Sequence, residues 1–129
     1  MSKTALELTP EELKAYKPSD AIAQRKWDVD PQLDARWERA RQVAHDVAEL
    51  LRREFNATKV LLFGSLVRRS WFTPWSDIDL AAWGIPPERF FSAVAVVTSI
   101  SKEFGIDLVD PETCRPSLLE IIEREGIEI

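Results

Sequence analysis

Hydrophobic residues recur along this chain with two different periods, and that alternation limits the fold more than any other feature. From Leu33 to Phe55, the residues Trp37, Ala40, Val43, Ala44, Val47, Leu50 and Leu51 return at intervals of three and four, which makes one apolar stripe on a helix. Lys59-Val60-Leu61-Leu62-Phe63 is then a short apolar run that stops at Gly64, the pattern of a buried strand. Asp77 to Trp83 predicts a second strand and Ile106-Asp107-Leu108-Val109 a third. Between them, Pro86-Pro87 opens a helix expected to run through about Phe104, with Phe90, Phe91, Val94, Val97 and Ile100 turned inward and Gly105 ending it. Pro116 or Ser117 starts a last helix, Leu118 to Glu125, closed by Gly126. The order predicts an α/β (α+β) domain, a small mixed three-stranded sheet flanked by helices.

The first 32 residues stand apart from this pattern. Thr9-Pro10-Glu11-Glu12 has the form of a helix start, with Thr9 as cap, Pro10 at the first helical position and Glu12 closing a capping box. Lys17-Pro18-Ser19-Asp20 interrupts it, and residues 19 to 32 are polar and mixed in sign. Residues 1–32 therefore read as an N-terminal helical arm and 33–129 as the domain proper. A chain of 129 residues with 45% hydrophobic and 30% charged content suits one core rather than disorder.

Charge and composition exclude several function classes. A net charge of −5 opposes broad contact with a nucleic-acid backbone, so no direct nucleic-acid partner is expected. From Lys102 to Ile129 there are eight Asp/Glu against three Lys/Arg, so this stretch carries the whole acidic excess. The expectation is a cytoplasmic protein with no membrane partner, because no apolar run approaches the roughly 18 residues of a membrane span. Cys114, the one cysteine, fits a reducing compartment. His45 lies off the apolar stripe and has no second histidine with which to share a metal.

Asp77-Ile78-Asp79 is the first feature that folding does not explain. Alternate strand residues share a face about 6.7 Å apart, and two carboxylates there repel unless a cation lies between them. Aspartate is also depleted in strands. Asp107 repeats the arrangement between Ile106 and Leu108. Were the two strands neighbours, three carboxylates would converge, a donor set suited to two hard divalent cations. Gly64-Ser65 supplies a complementary element. It follows a strand and precedes Leu66-Val67-Arg68-Arg69, which could begin a short helix, and a helix start presents N–H groups to phosphate. Ser65 adds a hydroxyl, and Arg68 or Arg69 adds positive charge.

Phe63-Gly64-Ser65, eleven residues, then Asp77-Ile78-Asp79-Leu80 resembles the signature of the DNA-polymerase-β-like nucleotidyltransferase superfamily. Within it, the chain's size and its ending, Asp107-Leu108-Val109 followed by a helix and Glu125-Gly126, are similar to the minimal nucleotidyltransferases. Those are antitoxins paired with helical HEPN-domain RNase toxins. The resemblance covers about residues 40 to 129. It implies that Gly64 and Ser65 hold the triphosphate of ATP, that Asp77 and Asp79 bind Mg2+, and that Asp107 is a third carboxylate helping to activate the acceptor hydroxyl. Arg68 matches an arginine common in that turn. The implied activity is AMP transfer from ATP to a tyrosine of the partner toxin. Two positions depart from the family pattern: Leu66 stands where the first Arg of the turn would be, and Arg69 where a Gly would be.

Two other classes compete. One is a non-catalytic antitoxin or adaptor of the same fold that neutralises its partner by contact alone. The other is a transferase acting on a small molecule such as an aminoglycoside, disfavoured because no second domain remains to bind the acceptor. Of the tryptophans, Trp27, Trp37 and Trp83 are expected mainly to pack in the core. Trp71 and Trp75, in the aromatic stretch Trp71-Phe72-Thr73-Pro74-Trp75, are expected to form a docking surface.

Overall fold

The computed structural model describes residues 30–129. The capping box at Thr9–Glu12, Trp27 and nearly all of the N-terminal arm lie outside them. Helix α1 spans Pro31–Phe55 and so begins two residues before the expected Leu33. Asp30 caps it, its carboxylate accepting from the Gln32 and Leu33 backbone N–H groups at 3.0 and 3.1 Å, and Pro31 follows at the first helical position. Leu33, Ala40, Ala44, Val47, Ala48, Leu51 and Phe55 are buried along the stripe, whereas His45 is exposed.

The sheet has four strands, not the three expected: β1 Lys59–Phe63, β2 Ile78–Trp83, β3 Ile106–Val109 and β4 Ile127–Glu128, in the order β3-β2-β1-β4. β1 runs antiparallel to both β2 and β4, and β2 runs parallel to β3. The sheet is therefore mixed, and the architecture is α+β. β4 escapes a periodicity reading because two residues carry no period. What places it is Gly126, where an added Cβ would collide with the Ile122 carbonyl and press on Leu61. Gly126 thus ends the last helix through close approach; its φ of −71° is not left-handed.

Helix α2 covers Pro87–Thr98 and stops well short of the expected Phe104. The hydroxyls of Thr98 and Ser99 donate back to the carbonyls of Ala95 and Val96 at 3.1 and 2.8 Å, and the Ser101 hydroxyl accepts from the Glu103 and Phe104 N–H groups. Serine and threonine offer the backbone these local bonds in place of a helix. Phe104 is still buried, but from the loop. Phe91 and Ile100, expected inward, are 85% and 41% exposed, whereas Val97 is buried as expected and Ala93 joins it on the buried edge. Helix α3 spans Pro116–Glu125.

The sheet is covered on both faces. Val60, Leu62, Ile78, Leu80, Ala82 and Ile106 pack with α1 and α2 in the main core. Leu61, Phe63, Ala81 and Ile122 of α3 form a smaller one, joined by Val109 and Leu118. Trp37 and Trp83 are partly buried against these cores, so neither is a fully internal residue. Among the described residues no helix is long and apolar enough to cross a membrane.

Candidate active site

Asp79 is the second residue of β2, and strand alternation decides where it points. Its neighbours Ile78 and Leu80 are fully buried on the α1/α2 side, so Asp79 lies on the α3 side. The parallel register sets Asp79 directly beside Asp107 of β3. Both carboxylates therefore leave the same face from adjacent strands. Asp77 lies one residue before β2, not within it. The Ile78 N–H donates to the Gly105 carbonyl at 2.9 Å, which holds the strand start against the residue before β3. A Cβ built on Gly105 would lie 2.8 Å from Asp77 Oδ1, so the Asp77 carboxylate reaches across toward β3.

On the other side of β2, the antiparallel register pairs Asp79 with Phe63, the last residue of β1. The chain then turns at Gly64, whose φ of +82° favours glycine. A side chain there would collide with Asp79 Oδ2. Two independent requirements, backbone conformation and space, thus demand glycine at this position.

Asp77 and Asp107 are exposed and Asp79 is partly buried. Burial, then the charges of Asp107 and Asp77, push the Asp79 carboxyl up to about 6. The three carboxylates therefore share one electrostatic field. Among the described residues, however, no three His, Cys, Asp or Glu side chains already form a metal-ligand grouping. The donor set itself fits a hard divalent cation. It consists of carboxylate oxygens from residues that repel one another, with the most buried of them held nearer its protonated form than an ordinary aspartate.

The Gly64 turn differs from its expected form. Gly64–Val67 and Arg69–Trp71 are two short 3-10 turns separated by Arg68 in extended conformation, and no α-helix begins at Leu66. Leu66 is fully buried, and its carbonyl accepts from Trp37 Nε1 at 3.0 Å. Arg69 Nε donates to Asp34 of α1. The Leu66 carbonyl and the Arg69 side chain thus tie the turn to α1. The Arg68 guanidinium stacks 4.7 Å over the Trp71 ring. The Ser65 hydroxyl donates to Ser76 Oγ at 2.8 Å.

Of the six residues singled out from sequence, the structure brings Gly64, Asp77, Asp79 and Asp107 together. Ser65 sits in the adjoining turn with its hydroxyl engaged, and Arg68 is held by an aromatic ring. Sequence reasoning missed Ser76, whose Oγ accepts from both Ser65 and the Thr73 N–H, the latter at 2.9 Å. Its position directly before Asp77 is the one signal that could have drawn notice. No model of a known protein family matches this sequence, and a search of curated proteins finds no significant match.

Proposed function

We propose that this chain is a metal-dependent nucleotidyltransferase of the polymerase-β-like kind, which transfers AMP from ATP to a hydroxyl of a protein partner. The observation that supports it most is the pair of registers around β2: Asp79 beside Asp107 on one side, and Asp79 over Gly64 on the other. A strand bearing a partly buried aspartate whose ionisation is opposed by burial and by two neighbouring carboxylates weakens the apo protein, and a structural role gives no return for that.

Asp77 and Asp79, with Asp107, would be the oxygen donors for two Mg2+ ions. Bound there, the cations would offset the carboxylate charge and stabilise negative charge developing on phosphoryl oxygens. Gly64 leaves its backbone open to a triphosphate, since no side chain stands in the way. In the transfer, the acceptor oxygen bonds to the α-phosphorus, the bond from that phosphorus to the bridging oxygen breaks, and pyrophosphate leaves. Asp107 Oδ takes the hydroxyl proton. It suits that task because it is exposed at the sheet edge, where an acceptor can reach it. A tyrosine of a helical HEPN-type toxin is the acceptor that the family resemblance favours, which makes the chain an antitoxin.

A second reading, neutralisation by contact alone, draws on Arg68 and Ser65. Both are engaged with the protein itself rather than turned to a ligand. Thermal shift separates the two readings. ATP is expected to raise the melting temperature only when Mg2+ or Mn2+ is present, since carboxylates alone repel a triphosphate. Equal stabilisation with EDTA would sink the metal-bridged site. Intact mass of a co-expressed helical partner should then show one or more added AMP groups.

A further inference from the structure

Trp75 is the most exposed tryptophan among the described residues, at 85%, and it sits two residues before Asp77. Exposing an indole forfeits much of the apolar burial that the side chain offers. The loop that carries it is firmly built. Phe72 is buried at its start and Ile78 at its end. The Ser76 N–H donates to the Thr73 carbonyl at 3.1 Å, closing a four-residue turn with Pro74 second and Trp75 third. The Thr73 N–H donates back to Ser76 Oγ at 2.9 Å, and the Trp75 N–H donates to Thr73 Oγ1 at 3.2 Å. Ser76 Oγ also accepts from Ser65. The backbone under the exposed ring is thereby coupled to the Gly64–Ser65 turn through a chain of hydroxyls.

The other described tryptophans have a cation over one face: Arg41 on Trp37, Arg68 on Trp71 and Lys59 on Trp83, at 4.7 to 4.8 Å. Among the described residues no cation covers Trp75. A bare aromatic face on a braced turn, tied to the residues proposed to hold a triphosphate, is what stacking of a planar base requires. A protein-docking surface would instead need contiguous apolar area. Around this ring the turn supplies Thr73, Pro74 and Ser76.

We infer that Trp75 is the platform on which the nucleobase of the bound nucleotide stacks. This inference rests on the nucleotidyltransferase reading and adds the base subsite to it. Stacking accepts any planar base, so the site should hold purine nucleotides with little distinction between adenine and guanine.

Calorimetric titration of the full chain with ATP, and separately with inorganic tripolyphosphate, both with Mg2+, tests it on wild type, Trp75→Ala and Trp75→Phe. Trp75→Ala is expected to weaken ATP about tenfold and to leave tripolyphosphate unchanged, with Trp75→Phe recovering most of the loss. GTP should follow ATP within a few-fold in all three proteins. Unchanged ATP affinity in Trp75→Ala overturns the inference, and if AMP transfer to a protein partner nonetheless falls, the ring serves docking. Equal weakening of both ligands also overturns it, because the ring would then only brace the turn. If wild type binds tripolyphosphate and ATP equally, the base has no subsite and the inference alone fails. Wild type that binds neither ligand removes the nucleotidyltransferase reading and this inference together.

Discussion

The two faces of strand β2 are built from neighbouring residues to opposite standards. Ile78, Leu80 and Ala82 meet α1 and α2 and are buried completely or nearly so. Asp79, between them, opens toward Asp107 and Asp77 and keeps its proton up to about pH 6. The apolar face stabilises the domain by burial, while on the acidic face the partial burial of Asp79, and then the charges of Asp107 and Asp77, oppose its ionisation. One short strand therefore holds the fold together and sets up the site, and the two roles are separable by mutation. Substitutions on the apolar face should alter stability, and those on the acidic face should alter chemistry.

The largest expected effect lies on the acidic face. Asp77→Asn and Asp79→Asn each remove an anionic oxygen donor with little change of size. AMP transfer to a partner protein should fall by roughly three orders of magnitude or more, since metal and electrostatic stabilisation supply much of the barrier reduction. Asp107→Asn should lose transfer but keep more nucleotide binding, if the role proposed for it, taking the acceptor proton, is right. Intact mass and ATP titration read the two quantities separately. An Asp77→Asn variant that protects cells from the partner as fully as wild type would show that contact alone suffices.

The converse test is on the apolar face. Leu80→Ala should cost about 3–4 kcal/mol in urea unfolding, the scale for a leucine removed from a well-packed core. Nucleotide affinity of the fraction that remains folded should change little. A loss below about 1 kcal/mol would mean that the α1/α2 core does not depend on this strand, and the contrast between faces would fail.

The contrast also explains what could be read from sequence. The strand runs at Lys59–Phe63 and Ile106–Val109 were legible to the residue because short apolar blocks beside glycine admit few other structures. The three aspartates stood out because nothing in folding calls for them there, and the parallel register does set Asp79 beside Asp107. The end of α2 was hidden, since Ile100 and Phe104 continue the spacing while serine hydroxyls end the helix. The second strand pair of β1 was hidden because β4 is made by a close approach at Gly126 and not by a pattern. The short helix expected after Gly64 is found as two 3-10 turns broken at Arg68, and the contacts of Leu66 and Arg69 with α1 are tertiary ones that local sequence does not contain.

A smaller effect sharpens the comparison through pH. Asp79 binds its proton more tightly folded than its ordinary value of 3.8 allows, so the folded chain holds more protons than the unfolded one between about pH 4 and 6. Stability of the metal-free protein should accordingly decline as pH rises through that window. The span corresponds to roughly 3 kcal/mol, and water at a partly open site reduces it to about 1–2 kcal/mol. Asp79→Asn should be more stable than wild type by that amount at pH 7, with the gap closing by pH 4. Denaturant curves in EDTA at the two pH values measure it. No gap at pH 7 would mean that neither burial nor the neighbouring carboxylates penalise ionised Asp79.

The smallest effect concerns the hydroxyl bridge between Ser65 and Ser76, where bracing and ligand binding overlap. Ser65→Ala breaks this one bond and should lower stability by about 0.5–1.5 kcal/mol, the usual net value of one hydrogen bond, whereas Ser76→Ala also removes the acceptor of the Thr73 N–H and should cost more. The double variant should lose little beyond Ser76→Ala alone, because the shared bond can be lost only once. Nucleotide affinity then distinguishes the two residues. If Ser65 only braces the turn, Ser65→Ala weakens ATP no more than Ser76→Ala does, since Ser76 also holds the Thr73 N–H. If its hydroxyl turns to the triphosphate when the nucleotide arrives, Ser65→Ala weakens ATP by a further tenfold or so, the scale of a hydrogen bond to a charged group. Ser76→Ala would in that case bind ATP as well as wild type or better, since it frees the hydroxyl for the ligand. Equal affinities in both single variants would assign Ser65 to the loop and leave Gly64 as the turn's one direct contribution to the site.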